Sequence, residues 1–181
     1  MEDSAKTKFI LCMLVRNEAG VLTRISGLFA RRAFNIDSLS VGETVNPLIS
    51  RITISATGDD YTREQIMKQL SKLHDVLTIE LMDLEKTVLR ELLLLKVRAQ
   101  KGEQSEIMQA ASVFRAKIVD LSLNAMILEL TGDTSKINAF IEFLMPYGIT
   151  ELCRTGITAV GRGNYILKNN EEENENGTDV L

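Results

Sequence analysis

Cysteine, histidine and aromatic residues are scarce in this sequence of 181 residues. The chain has two cysteines, one histidine, no tryptophan, and an aromatic content of only 5%. Cys12 and Cys153 stand far apart in apolar stretches, and no CxxC pair is present. Because a structural zinc site needs four sulfur or imidazole ligands, the sequence predicts neither a metal site nor a disulfide framework.

Residue patterns that perform catalysis are also missing. His74 has no nucleophile at a local spacing that would make a catalytic pair, and neither a P-loop nor a GxGxxG motif occurs. The acidic pair Asp59–Asp60 falls in a predicted turn. A carboxyl group there is exposed to solvent and lacks the burial that shifts the pKa of a general acid or base. We therefore expect no catalytic residues, and a stand-alone enzyme is the alternative hypothesis.

The charge balance and the aromatic content argue against nucleic acid as a partner. The formal net charge is -4, which disfavours binding to nucleic acid or to an anionic membrane surface. Sheets that bind RNA stack bases on aromatic side chains, and the first predicted strand offers only Phe9, at its edge.

The polar start MEDSAKTK and the absence of an apolar run of about 18 residues predict a soluble, cytoplasmic protein without a membrane span.

The first half of the chain alternates between strand and helix patterns. A continuous apolar run at 8–15 predicts a buried strand. A helical stripe then predicts a helix from Val21, and its members are Leu22, Ile25, Leu28 and Phe29. Alternating residues at 35–44 and 49–57 predict two strands joined by a turn at 45–47. In the second of these strands Ile52 and Ile54 are expected to face inward, and Thr53 and Ser55 outward.

A second helix and a closing strand complete this half. Asp59 or Thr62 is the predicted N-cap, and the apolar stripe consists of Ile66, Met67, Leu70 and Leu73. The strand follows at 76–84. The order strand, helix, strand, strand, helix, strand is typical of a ferredoxin-like unit, in which two helices cover one face of an antiparallel sheet.

The second half repeats this order. Arg98 follows Arg16 by 82 positions, and the triplet TGD recurs after 74 positions. The predicted elements are strands at 92–99, 117–123, 126–133 and 149–160 and helices at 103–116 and 134–145. We therefore predict an α+β fold of two tandem ferredoxin-like βαββαβ units with antiparallel sheets, at 8–85 and 88–163. The acidic tail at 164–181 is predicted to be disordered.

The short stretch RNEAG at 16–20 admits two interpretations. It can be an ordinary turn in which Asn17 caps and Gly20 eases the bend. It can also expose the start of a helix to a ligand, since the unpaired N–H groups and the positive end of the helix dipole attract a carboxylate. Asn35 follows the first helix and could approach the loop of a second copy. Together these residues could offer the donors, acceptors and apolar surface that a small amino acid requires.

The stretch NEAGVLTRISGLFARRAFNIDSLSVGETVNPLISRITI at 17–54 resembles the ACT domain of the small, regulatory subunits of acetolactate synthase (acetohydroxyacid synthase). The likeness continues through LSKLHDVLTIELM, FRAKIVDLS and RTGITAVGRG and covers roughly 8 to 165. The resemblance implies a homodimer that binds valine, or another branched-chain amino acid, at the ACT interface. The effector would be contacted from one subunit by Asn17, Ala19, Gly20, Val21 and Leu22. The partner subunit would contact it through Asn35 and Ile36.

The resemblance also implies a role. The chain would do no catalysis and hold no cofactor, and it would activate a large catalytic subunit that uses thiamine diphosphate, Mg²⁺ and FAD to condense two pyruvates. Effector binding would reverse the activation, which is feedback inhibition in branched-chain amino acid biosynthesis. An ACT-type regulator of another biosynthetic enzyme is the alternative. The hairpin at 45–47 is expected to lie away from the effector site, where it could touch the large subunit.

Overall fold

A computed structural model describes residues 6–168 of the chain. The elements follow in the order β1 (Thr7–Arg16), α1 (Val21–Arg31), β2 (Ser38–Glu43), β3 (Ile49–Gly58), α2 (Asp60–Leu70), β4 (Val76–Leu81), β5 (Thr87–Arg98), α3 (Gln104–Phe114), β6 (Lys117–Leu121), β7 (Ala125–Gly132), α4 (Thr134–Leu144), β8 (Ile149–Arg154) and β9 (Thr158–Gly161). This order confirms the predicted duplication of a βαββαβ unit. The predicted last strand at 149–160 is two strands, β8 and β9, separated by a bend at Gly156 with φ 80°.

By the density of contacts the chain divides into two units. The first comprises the described residues through Val88 together with those from Ala159 onward, and the second spans Leu89–Thr158. Residues 159–163, predicted to belong to the second unit, thus lie with the first. Of the predicted disordered tail, residues 164–168 are described and Leu167 is buried, whereas residues 169–181 lie outside the described part of the chain.

The first unit is a sheet of strand order β2-β3-β1-β4 in which every neighbouring pair is antiparallel. One face of the sheet packs on α1 and α2, which confirms the ferredoxin-like prediction. Its core contains residues such as Leu11, Met13 and Ile54 from the sheet and Phe29 and Leu70 from the helices. Burying these apolar side chains supplies the main stabilisation of the unit.

The opposite face of this sheet is also buried. Thr53 and Ser55 point away from the helices, as predicted, but their exposed fractions are only 1% and 0%. Ala159 lies against this face, since its carbonyl accepts a hydrogen bond of 2.9 Å from Arg51 Nη2 and lies 3.9 Å from Cys12 Sγ. The alternating pattern of β3 therefore did not reveal its burial, because the cover comes from more than one hundred positions away.

Two apolar residues of the predicted buried faces are instead exposed. Leu22 of α1 is 40% exposed, because Val21, Ile25, Leu28 and Phe29 form the buried stripe and Leu22 lies beside it. Val41 of β2 is 51% exposed, since β2 is the edge strand of its sheet.

The second unit repeats the arrangement with strand order β6-β7-β5-β8. Its core contains residues such as Leu95, Leu128 and Phe140. β1 and β5 shift register at equivalent points, between Leu14 and Val15 and between Lys96 and Val97. Since these irregularities are 82 positions apart, the duplication extends to local backbone detail.

Helices α2 and α4 begin with the same cap. The Oδ1 atom of Asp59 accepts a hydrogen bond of 2.7 Å from the N–H of Thr62, and that of Asp133 accepts one of 2.8 Å from the N–H of Lys136. These hydrogen bonds stabilise the charged carboxylate, so the pKa of each group is lowered from its ordinary value of 3.8. At α2 the hydrogen bonds with Thr62 make the largest contribution, and at α4 the backbone hydrogen bond from Lys136 does.

Replacing Asp59 by alanine should lower the melting temperature at pH 7 by roughly 2–4 °C, because the cap is lost. A carboxylate whose pKa is lowered on folding stabilises the fold above its unfolded pKa, and this contribution disappears as the pH falls through the folded pKa. The gap between wild type and Asp59→Ala should therefore narrow as the pH falls below about 3.8. Thermal unfolding followed by circular dichroism at pH 7 and pH 3 measures both values. Asp59→Asn keeps an acceptor without the charge and should lie between Asp59→Ala and wild type at pH 7. A gap that is as wide at pH 3 as at pH 7 contradicts the assignment.

Candidate functional site

The loop at 17–20 joins the end of β1 to the start of α1. Gly20 is the residue before the helix, and its φ of 87° lies in the left-handed region that glycine adopts without strain. A Cβ at Gly20 would also come within 3.1 Å of Arg24 Nη1. Both the backbone conformation and the neighbouring guanidinium therefore favour glycine here.

The start of α1 carries no side-chain cap. Its first intrahelical hydrogen bond runs from the N–H of Arg24 to the carbonyl of Gly20, at 3.0 Å, and the N–H of Val21 makes a longer bond of 3.4 Å to the carbonyl of Glu18. The N–H groups of the first turn precede the regular helical bonds and carry the positive end of the helix dipole. This terminus can therefore receive a carboxylate.

Asp75 fixes both ends of this loop. Its carbonyl accepts a hydrogen bond of 2.9 Å from the N–H of Arg16, and its carboxylate lies 2.6 Å from Arg24 Nε. The hydrogen bond from Arg24 lowers the pKa of Asp75, so this carboxylate is charged and stays paired. Sequence reasoning missed Arg24 and Asp75. Arg24 stood one turn after Gly20, but no local pattern linked it to Asp75, 51 positions away.

The side chain of Asn17 holds the hairpin between β2 and β3. Its Nδ2 atom donates to Glu43 Oε1 at 3.1 Å and to the carbonyl of Pro47 at 2.8 Å, and its backbone N–H donates to the carbonyl of Leu48 at 2.8 Å. The prediction that this hairpin lies away from the loop is wrong. A side-chain amide has two hydrogens, so both are engaged, and a ligand carboxylate must displace one acceptor before Asn17 Nδ2 can donate to it.

Asn35 and Ile36 lie in the connection before β2, not within the strand as predicted. Asn35 is exposed and donates from Nδ2 to Asp37 Oδ1 at 3.1 Å. The other carboxylate oxygen of Asp37 accepts from Thr57 Oγ1 at 2.7 Å, which ties the connection to β3. Ile36 is half-buried against the first core. The strand begins at Ser38, although the N–H of Asp37 already donates to the carbonyl of Ser55 at 2.9 Å.

A single chain does not bring the predicted site residues together. Ala19, Gly20, Val21 and Leu22 lie at the start of α1, with Ala19, Gly20 and Leu22 exposed and Val21 buried. Asn35 lies past the other end of this helix, which has 11 residues and is about 16 Å long at 1.5 Å per residue. A ligand that contacts both groups must therefore be bound by two chains.

Two further features bear on function. Within residues 6–168, no group of three or more histidine, cysteine or acidic residues is placed to hold a metal ion. Each of the four α-helices there has 11 residues, and none is long and apolar enough to cross a bilayer.

Comparisons with known proteins identify the family. The sequence model described as "AHAS small subunit-like ACT domain" matches residues 11–78, and that described as "Small subunit of acetolactate synthase" matches residues 90–163. The probable acetolactate synthase small subunit of Methanothermobacter thermautotrophicus is 50% identical over 87% of this chain and 95% of its own length. The acetolactate synthase small subunit of Aquifex aeolicus is 46% identical over 93% of this chain and 86% of its own length.

A solved structure agrees with these matches. The crystal structure of the acetolactate synthase small subunit from Thermotoga maritima aligns with a TM-score of 0.82 and 43% identity, over 88% of this chain and 99% of that one. The family models, the relatives and the solved structure all match over most of the described residues. The chain therefore belongs to the family of acetolactate synthase small subunits, and its first unit contains the ACT domain.

Proposed function

We propose that this chain activates the large, catalytic subunit of acetolactate synthase and makes that subunit sensitive to valine or another branched-chain amino acid. Two copies of the chain bind the effector between their ACT domains. The large subunit carries thiamine diphosphate, Mg²⁺ and FAD and condenses two pyruvates, while the small subunit contributes no catalytic group. Family membership supports the regulatory role, and the contact between Asn17 and Glu43 supports the place of the effector.

The proposed dimer forms through β2. This strand lies at one edge of the sheet that the described residues form, and an edge strand can pair with another copy. A twofold axis places two copies of the same strand antiparallel. The start of one β2 then lies beside the end of the other.

The contact of Asn17 with Glu43 places the loop at 17–20 beside the end of β2, where the paired strands can form a binding site. Glu43 ends β2, and its carboxylate lies 3.1 Å from Asn17 Nδ2. Asn35 and Ile36 lie just before the start of β2. Antiparallel pairing of the two edge strands therefore brings residues 35–36 of one chain toward the loop at 17–20 of the other. The two halves that a single chain keeps apart meet between the two copies.

The residues at this junction fit a branched-chain amino acid. The first turn of α1 and the amide of Asn17 offer donors to the ligand carboxylate. Leu22, 40% exposed beside the helix start, and the half-buried Ile36 provide apolar surface for the ligand side chain. Binding in the micromolar to millimolar range, about 4–8 kcal/mol, is enough for regulation by a metabolite.

Effector binding regulates by favouring one arrangement of the hairpin between β2 and β3. The side chains of Val45 and Leu48 in this hairpin are 107% and 74% exposed, and the hydrogen bonds of Asn17 hold the hairpin in place. A ligand that takes a hydrogen from Asn17 weakens this hold. The large subunit senses the change if it prefers one hairpin arrangement, because regulation requires a difference in affinity between two states.

Calorimetric titration of the purified chain with valine, leucine and isoleucine tests the proposal. Binding of at least one of them is expected, and Asn35→Ala should weaken it by roughly tenfold through loss of one hydrogen-bonding group. Asn35 is exposed, so the variant should stay folded by circular dichroism. Asn164→Ala is the matched control, since it removes an exposed asparagine outside the site. Absence of binding by all three amino acids at millimolar concentration overturns the effector claim.

The carboxylate of Glu43 should compete with that of the effector for the Asn17 amide. Glu43→Gln removes the negative charge but retains a carbonyl acceptor, so effector affinity should rise roughly three- to tenfold. Glu142→Gln, which removes an exposed charge from the second unit, is the control and should leave affinity unchanged. Weaker binding in Glu43→Gln contradicts the competition and indicates instead that Glu43 holds the ligand ammonium group.

A further inference from the structure

The second unit contains a structural counterpart of the loop at 17–20. Arg16 and Arg98 end the equivalent strands β1 and β5. The N–H of Arg16 donates to the carbonyl of Asp75, and that of Arg98 donates to the carbonyl of Gly148 at 3.0 Å. Both loops end in a glycine with positive φ, 87° at Gly20 and 108° at Gly102. The duplication has therefore preserved the backbone frame of the proposed effector loop.

The side chains of this second loop differ from those of the first in charge. Where the first loop has Glu18 and Ala19, the second has Gln100 and Lys101. The residue whose carbonyl holds the end of the strand is Asp75 in the first unit and Gly148 in the second. Two carboxylates are thus absent from the second loop and one ammonium group is added.

These residues line an open cavity of about 550 Å³, formed by Arg98, Gln100, Lys101 and Asn124. The backbone fixes its walls, because the N–H of Ala99 donates to the carbonyl of Asn124 at 3.0 Å. Gly148 leaves room for the arginine, since a Cβ there would lie 3.4 Å from Arg98 Cδ. The lining therefore presents two positive side chains and two amides.

The acidic side chain of this loop, Glu103, already accepts a hydrogen bond. Glu103 Oε2 accepts a hydrogen bond of 3.0 Å from the N–H of Gln100 and does not line the cavity. Gln104 Nε2 donates to the carbonyl of Leu123 at 3.1 Å, which ties the start of α3 to the connection before β7. The loop is therefore held in shape by its own hydrogen bonds while Arg98 and Lys101 face the cavity.

We propose that this cavity binds a small oxyanion that lacks an ammonium group, either a phosphate or a carboxylate. The positive charges of Arg98 and Lys101 repel the ammonium group of an amino acid, and no side chain of this lining is a carboxylate that would offset them. Arginine binds two oxygens of one oxyanion through parallel N–H donors, and lysine adds a point charge. The duplicated loop thus binds a different class of ligand from the one proposed for the first unit. This inference does not depend on the effector site.

The test is a titration of the full chain with inorganic phosphate and, separately, with acetate, followed by the NMR signals of the backbone amides. Saturable shifts are expected at residues 99–102 and 124 for at least one anion, and the comparison between them identifies the preferred class. Gln100→Glu restores the acidic residue of the first loop and should weaken binding at least tenfold. Lys101→Ala should do the same. All of these side chains are exposed, so the variants should fold.

Lys72→Ala is the control, because it removes one exposed positive charge from a turn of the first unit. It should leave the titration unchanged. The proposal is overturned if neither anion gives saturable shifts at this loop, or if Lys72→Ala weakens binding as much as Lys101→Ala, which indicates attraction to net charge alone. Equal shifts of the same amides by valine also contradict it.

Discussion

Both hydrogens of the Asn17 amide are donated to the hairpin between β2 and β3, one to Glu43 and one to the carbonyl of Pro47. This pair of hydrogen bonds links the start of α1 to the end of the edge strand, and the proposed regulation depends on that link. Without it, the loop that offers backbone donors and the strand that forms the proposed dimer would be separate features. With it, the proposed ligand at the helix start would act on the hairpin that carries the exposed residues Val45 and Leu48.

The duplicated units show how one backbone frame can serve two chemistries. The equivalent strands end in arginine, the equivalent loops end in glycine with positive φ, and the equivalent helices α2 and α4 begin with an aspartate cap. The glycines and the aspartate caps meet backbone requirements, and they are the same in both units. The residues between arginine and glycine are free of that constraint, and there the first unit has a glutamate and the second a lysine.

Periodicity predicted the order of elements because strand and helix stripes depend on residues close in sequence. Gly20 was recognised for the same reason, since a strand followed by a loop and a helix is a local pattern. Three features could not be predicted locally. The burial of Thr53 depends on Ala159, the pairing of Arg24 depends on Asp75, and the engagement of Asn17 depends on Glu43 and Pro47. Each joins residues at least 26 positions apart, where spacing carries no information. The proposed identity of the effector rests only on the family resemblance.

The central claim is that one effector is bound by the loop of one chain and by residues 35–36 of another. Mixed dimers of Asn17→Ala and Asn35→Ala test this most directly. In each variant alone both sites lack one asparagine, whereas in the mixed dimer one site lacks both and the other is intact. Calorimetric titration with valine should therefore show weak binding for each variant alone and, for purified mixed dimers, tight binding at half the wild-type stoichiometry. Binding that stays weak in confirmed mixed dimers would contradict a site shared between two chains.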